Sequence, residues 1–412
     1  MATILRDRSF DIAKAEWTEQ AIAAEKALAT AEFPTRHTED WRYAKLGGLL
    51  KHSYSTPTTE SVDISSFLIE GLDVELVVLV NGFLNTELSS HNENSGVTIL
   101  PIEEAAKSFD GFDKYFHTLG KDSKEIFTAL NTAYNQGGVF VHLDKNASND
   151  KPIYILNIAT DGDQLMNSRN LIIAQQSASA KIIQGYFSIG DGQHLNNSYT
   201  EVFVGKNANV TIDKIQKTNA AAKHICTEEI YQENDSNFKI NTFMLEGGFI
   251  RNGINIKVDG TNCHSEMNGL VLGHGNQFVD NHTRVDHLKS NCISSELYKY
   301  ILKDKSTGVF NGKVIVHQDA QIIEAYQQNN NIIMSDSATM NTKPELEIYA
   351  DDVKCSHGAT TGQFDEKAIF YLQARGVSRD AAKEMLIGAF AGEVVEKIDN
   401  DILRDFIEGL VG

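Results

Sequence analysis

Cys355 and His357 stand two residues apart in "YADDVKCSHGATTGQF" (Tyr349 to Phe364), behind two aspartates, where strand-like sequence gives way to helix-like sequence. On a strand, residues i and i+2 share a face, so a thiolate and an imidazole at this spacing can both touch one soft or borderline metal such as iron or zinc. Two ligands do not complete a tetrahedral shell. The remaining ligands would come from substrate, from elsewhere in the fold or from a second chain. On spacing alone, a buried cysteine beside a surface histidine is the stronger reading.

Two other groups have the residue types for chemistry. "HGNQFVDNHTRVDHL" gathers His274, Asp280, His282, Asp286 and His287. Strand alternation lets His282 and Asp286 converge while His287 points away, so a hydrogen-bonded ladder or surface row is favoured over a metal site. Cys263 and Cys292 occupy equivalent places in "TNCHSEM" and "SNCISSEL", and small buried hydrophobes are expected there. GxxxxGK[ST], HExxH, GxSxG and GxGxxG are all missing from the sequence, so any ATP hydrolysis would belong to a partner.

The elements that must position these residues are legible in part. "AKAEWTEQAIAAEKALATAEF" (Ala13 to Phe33) has helical spacing and ends at Pro34. "VELVVLVNGFLNTELS" reads as strand, turn and strand, and "PIEEAAKSF" and "SKEIFTALNTAYNQ" as helices. From Gly138 the chain becomes a series of short β-branched segments between Asn, Gly, Ser and Asp clusters. No proline occurs between Pro152 and Pro344, as expected where most strands hydrogen-bond on both sides. The cysteine-containing repeat recurs at about 29 residues, and "SASAKI" and "NANVTI" at about 30. Repeats of this length suggest a solenoid, with a right-handed parallel β-helix favoured over a β-sandwich. After Asp365 three helices are predicted, with Asp365 and Ser378 as N-caps and Gly376 as a C-cap. The expected organisation is an N-terminal α-rich domain (1–137), the β-helix (138–350) and a C-terminal helical domain (351–412).

Composition narrows the class. The chain has 412 residues, 41% hydrophobic and 23% charged, with a formal net charge of −19. This is globular composition, and the acidity disfavours nucleic acid and anionic lipid as partners. "TRHTEDWRYAKL" is the nearest approach to a basic patch, and its Glu39 and Asp40 favour a solvated surface instead. The apolar runs are too short to span a bilayer. "MATILRDRSFDIAKAEW" has no secretory pattern, and four scattered cysteines without a CxxC pair fit a reducing compartment. A cytoplasmic location is expected.

"LEIYADDVKCSHGATTGQFDEKAIFYLQARGVS" (Leu346 to Ser378), with "AGEVVEKI" downstream, closely resembles the C-terminal signature of the SufB/SufD family, the scaffold subunits of Suf iron-sulfur cluster assembly. "FPTRHTEDWRYAKL" and "SNCISSELYKYILKDKSTGVFNGKVIVHQDAQ" are similar to two further family segments. "VKCSHGATTG" and the chain length match the SufD branch. The resemblance implies helical domains flanking a right-handed parallel β-helix, pairing with a SufB-type paralogue, and docking of the ABC-type ATPase SufC on the C-terminal helices. It implies that Cys355 and His357 serve iron or a nascent cluster at the SufB interface, with the remaining ligands from SufB. The family is also linked to reduced flavin in the full complex, although no flavin motif is visible here. No cofactor is expected in the isolated chain, for which self-pairing as a homodimer stays open. Two alternatives stand beside this reading: an architectural subunit without ligands, and a β-helix enzyme acting on acidic polysaccharide.

Overall fold

The computed structural model describes residues 3–5, 7, 18–91, 96–121, 123, 125–149 and 151–411. They form a parallel β-solenoid with helices toward both ends of the chain. The chain alternates between two ten-stranded sheets, and from Val139 onward each strand pairs in parallel with a strand of a neighbouring turn, while Phe83–Ser90 and Val97–Pro101 pair antiparallel at the first end. Side chains that stack on adjacent turns lie 27 to 31 residues apart in sequence, so the repeat seen in the sequence is one turn. Both sheets extend beyond residues 138–350: Glu75–Val80, Phe83–Ser90 and Val97–Pro101 join them first, and Val353–Gly362 last.

The strands are longer than the sequence suggests. Most in the central turns span ten residues, such as Lys223–Gln232 and His264–Gly273. Only part of each carries the aliphatic signal. Ile182, Ile212 and Ile240 stack in one interior column, while Gln184, Lys214 and Thr242 stack in the next. Several of the buried polar residues pair with one another: Lys214 Nζ lies 2.7 Å from Glu228 Oε1, and Asn252 Nδ2 donates to Asn281 Oδ1 at 3.0 Å. Burial of polar groups is tolerated where they are hydrogen-bonded in this way.

One corner repeats in every turn. Asn146, Ser177, Asn207, Asp235, Asn262, Asn291 and Ile322 have φ between 56° and 64°. Asn and Asp tolerate this left-handed conformation, and Ile does not. Pro344 lies on Thr339–Ile348, the last strand of its sheet, where a missing N–H is least damaging.

Helices cover the outer faces. Helix Thr18–Thr30 is the described part of the predicted N-terminal helix; residues 13–17 lie outside the described set. Helices Ile102–Ser108 and Ile126–Ala133 follow the other two helical readings. Glu366–Gln373, Arg379–Val395 and Asp401–Val411 form the C-terminal trio. The Asp365 carboxylate accepts from Lys367 N at 2.9 Å, Ser378 Oγ accepts from Ala381 N at 3.2 Å, and Gly376 has φ 90°. The last two helices bury Ile387, Val394, Ile398, Leu403 and Ile407 against Ile183, Ile215, Phe243, Leu270 and Ile301 on the outer face of one sheet. Beneath these helices the sheet carries apolar residues on both of its faces. Among the described residues, no helix is long and apolar enough to cross a membrane.

Candidate functional site at the end of the solenoid

Cys355 and His357 lie on Val353–Gly362, the terminal strand of its sheet. Their Cα partners on the preceding turn are Ala325 and Gln327, both buried inside the solenoid. The two side chains therefore continue two interior columns on one face, as the i, i+2 spacing requires. With a neighbouring turn on one side only, Cys355 is half-buried against the interior apolar cluster and His357 is exposed. Burial pushes the Cys355 thiol above its ordinary pKa of 9.0. A soft cation would displace its proton on binding.

The column behind His357 is polar for two further turns. Gln327 Nε2 donates to Glu296 Oε2 at 2.7 Å, and Glu296 is the Cα partner of Gln327. Burial pushes the Glu296 carboxyl up to about 7, against the hydrogen bond from Gln327 that favours ionisation. Sequence reasoning missed this Glu296–Gln327–His357 column. Its signal is the solenoid register, which is not fixed until the turn length at each corner is known.

The last turns also expose apolar side chains. Ile322, Tyr326, Ile348 and Tyr349 are exposed on the last turns, and Tyr349 is 62% accessible. Met340, Leu346 and Val353 are only partly buried against the interior. Among the described residues, no group of three or more His, Cys, Asp and Glu side chains is placed to hold a metal ion. Among the described residues the end of the solenoid offers these two donors and no third.

The other sequence candidates are arranged differently. Asp280, His282 and Asp286 project from the outer face of Phe278–His287, while His287 points inward. Asp280 pairs with Arg251, and His282 Nε2 lies 3.0 Å from Asp280 Oδ1. Asp286 is bound by Arg284 and His317. His287 is buried beside Ser294 Oγ at 2.9 Å. The row is a set of polar contacts within the strand and to neighbouring turns, and His282 meets Asp280 instead of converging with Asp286. It borders a polar cleft of about 400 Å³ roofed by Glu39, Asp40 and Trp41. The Arg251 guanidinium sits 3.8 Å from the centre of the Trp41 ring, and Lys343 Nζ is 2.7 Å from Glu39. The "TRHTEDWRYAKL" segment is thus mostly exposed, with Trp41, Ala44 and Leu46 as buried anchors. Arg251, Arg284, Lys313 and Lys343 all have acidic partners, so the cleft offers no uncompensated basic charge.

The fold is thus a long parallel solenoid with helices packed on its flank and a thiol and imidazole on one face of its terminal strand. Residues 157–390 match the family described as SUF system FeS cluster assembly, SufBD core domain, and residues 8–155 match the SufBD protein N-terminal region. The chain belongs to the SufBD family of iron-sulfur cluster assembly proteins. It is 29% identical over 407 residues to the iron-sulfur cluster assembly protein SufD of Escherichia coli, covering 97% of this chain and 94% of that one. A SufBD family protein of Synechocystis is also 29% identical over 407 residues, covering 92% and 88%. Protein ABCI7, chloroplastic, of Arabidopsis thaliana is 27% identical over 402 residues, covering 93% and 82%.

Proposed function

We propose that the chain is a SufD-like, non-catalytic scaffold subunit that completes an iron or nascent-cluster site together with a SufB-type partner in the cytoplasm. The observation that carries this reading is the placement of Cys355 and His357 on one face of the terminal strand, with no third donor among the described residues. Iron is the cargo here. Cys355 offers a thiolate and His357 an imidazole, and the partner fills the remaining positions. The exposed Ile322, Tyr326, Ile348 and Tyr349 support pairing at this end. A SufC-type ATPase would dock on the C-terminal helices, where Phe370, Tyr371 and Met385 are exposed. Nucleotide-driven movement of those helices would open the paired ends. Reduced flavin, if the complex uses it, is assigned to no residue of this chain.

The test is co-expression with cognate SufB-type and SufC-type chains, followed by anaerobic absorption spectroscopy and iron analysis of the purified complex. Cys355→Ser and His357→Ala should assemble normally and lose cluster yield by about tenfold or more, the scale on which metal sites respond to lost support. An unchanged yield in both variants would leave the subunit architectural. The half-burial of Cys355 against the core is the observation that favours that second reading.

A further inference from the structure

The remaining pair of thiols is not near the terminal strand. Asn262 and Asn291 hold the left-handed corner on successive turns, with φ 58° and 60°, and Cys263 and Cys292 follow them immediately. The next residues, His264 and Ile293, are Cα partners in the parallel ladder. The cysteines therefore face each other across one rung, where neighbouring backbones lie about 4.8 Å apart, within the span that a disulfide bridges. Cys263 N donates to Cys292 Sγ at 3.4 Å, and Ile293 N donates to Cys263 O at 2.9 Å. Both residues are buried, at 2% and 0% exposure.

The surroundings mark Cys263 as the more acidic member. Its side-chain contact with Cys292 brings the Cys263 thiol down to about 7 while raising Cys292, and Cys263 Sγ itself lies 3.0 Å from the Glu233 carbonyl. Ser236 Oγ, one turn earlier, lies 3.6 Å from Cys263 Sγ and stabilises its thiolate further. Cys292 Sγ lies 3.2 Å from the Gly260 carbonyl and 3.4 Å from that of Ser290. Cys226 and Cys355 differ, since burial raises both thiols and neither faces another cysteine in the ladder.

We propose that Cys263 and Cys292 are a redox-modifiable dithiol that closes to a disulfide between adjacent solenoid turns on exposure to peroxide. The Cys263 thiolate attacks one oxygen of hydrogen peroxide; an S–O bond forms, the O–O bond breaks, and the departing hydroxide is protonated to water. Cys292 sulfur then attacks the sulfenic sulfur of Cys263. The S–S bond forms, the S–O bond breaks, and the leaving hydroxide takes the Cys292 proton as a second water. Two thiols are oxidised and one peroxide is reduced. The closed bridge ties the corner before His264–Gly273 to the corner before Ile293–Leu302, and one further strand, Ile323–Ile333, lies between these and Val353–Gly362, which carries Cys355. The proposal does not depend on the iron reading.

The test treats the full-length chain with hydrogen peroxide, blocks remaining thiols, and maps tryptic peptides without reduction. Cys263 and Cys292 fall in separate peptides, since Arg284 and Lys289 lie between them. The expected result is a linked pair of these peptides, lighter by two hydrogens and reversed by dithiothreitol, in most molecules before Cys226 reacts. In Cys292→Ser the link vanishes and Cys263 is trapped as sulfenic acid by dimedone. Ser236 already occupies the same corner position two turns earlier, so serine is accommodated there. Free Cys263 and Cys292 after Cys355 has oxidised would overturn the proposal. So would direct conversion of wild-type Cys263 to sulfinic acid without a link.

Discussion

Glu296→Gln is expected to match the wild type in stability near pH 4.5 and to exceed it above pH 7. The Glu296 carboxyl is fully buried on the column that ends at His357, and burial holds it at about 7 in place of its ordinary 4.5. As pH rises, the unfolded chain gives up this proton near 4.5, while the native chain keeps it until about 7. The native state therefore binds more protons across that window, and stability falls through it and levels off above it. The difference amounts to about 3 kcal/mol. Glutamine is isosteric, does not titrate, and still accepts from Gln327. Asp213 at about 6 and Glu229 at about 8 are raised by burial in the same sense, but they remain in both proteins and cancel in the comparison. Urea unfolding at pH 4.5, 6, 7 and 8 reads the effect as a growing gap between the two midpoints. A gap that is constant with pH, or a variant weaker at pH 8, would refute the reasoning.

Two other substitutions probe the scaffold. Arg169 is fully buried, with Glu201 Oε2 at 2.9 Å and Thr132 Oγ1 at 2.9 Å. Arg169→Met should cost about 3–5 kcal/mol by leaving Glu201 uncompensated. Adding Glu201→Gln should recover part of that loss, and a full additive loss in the urea midpoints of the double variant would contradict it. Ile322→Asn should raise the melting temperature, because Ile322 is 54% exposed at φ 59° where the other turns use Asn, Ser or Asp. The gain is about 1 kcal/mol by the left-handed penalty, and a lower melting temperature would show that its side-chain packing outweighs it.

What the sequence displays depends on the range of the interaction behind it. The Asp365, Ser378 and Gly376 caps are local hydrogen-bonding and φ preferences, and they lie where the residue types place them. Turn length was legible because Cys263 and Cys292 follow the same corner. Strand length was not. Lys214, Gln216, Glu228 and Asn252 look like surface residues in one dimension, and only the neighbouring turns supply the partners that let them be buried. The same limit applies at the candidate site. The i, i+2 rule put Cys355 and His357 on one face, whereas Glu296 enters that column only through two successive registers. Trp41 under Arg251 belongs to the same class, a contact between segments whose proximity no local pattern encodes.

The C-terminal helices are tied to the sheet by more than their apolar face. Lys239 pairs with Asp399 at 2.8 Å, Glu266 with Lys397 at 2.9 Å, and Lys299 with Glu393 and with the Phe390 carbonyl. Those three anchors sit on three neighbouring strands, Asn237–Glu246, His264–Gly273 and Ile293–Leu302. A load applied to the helices is therefore shared over three turns in parallel, and no single strand has to peel away first. The last two helices and the turn between them thus lie across the grain of the solenoid and are fastened to three successive turns.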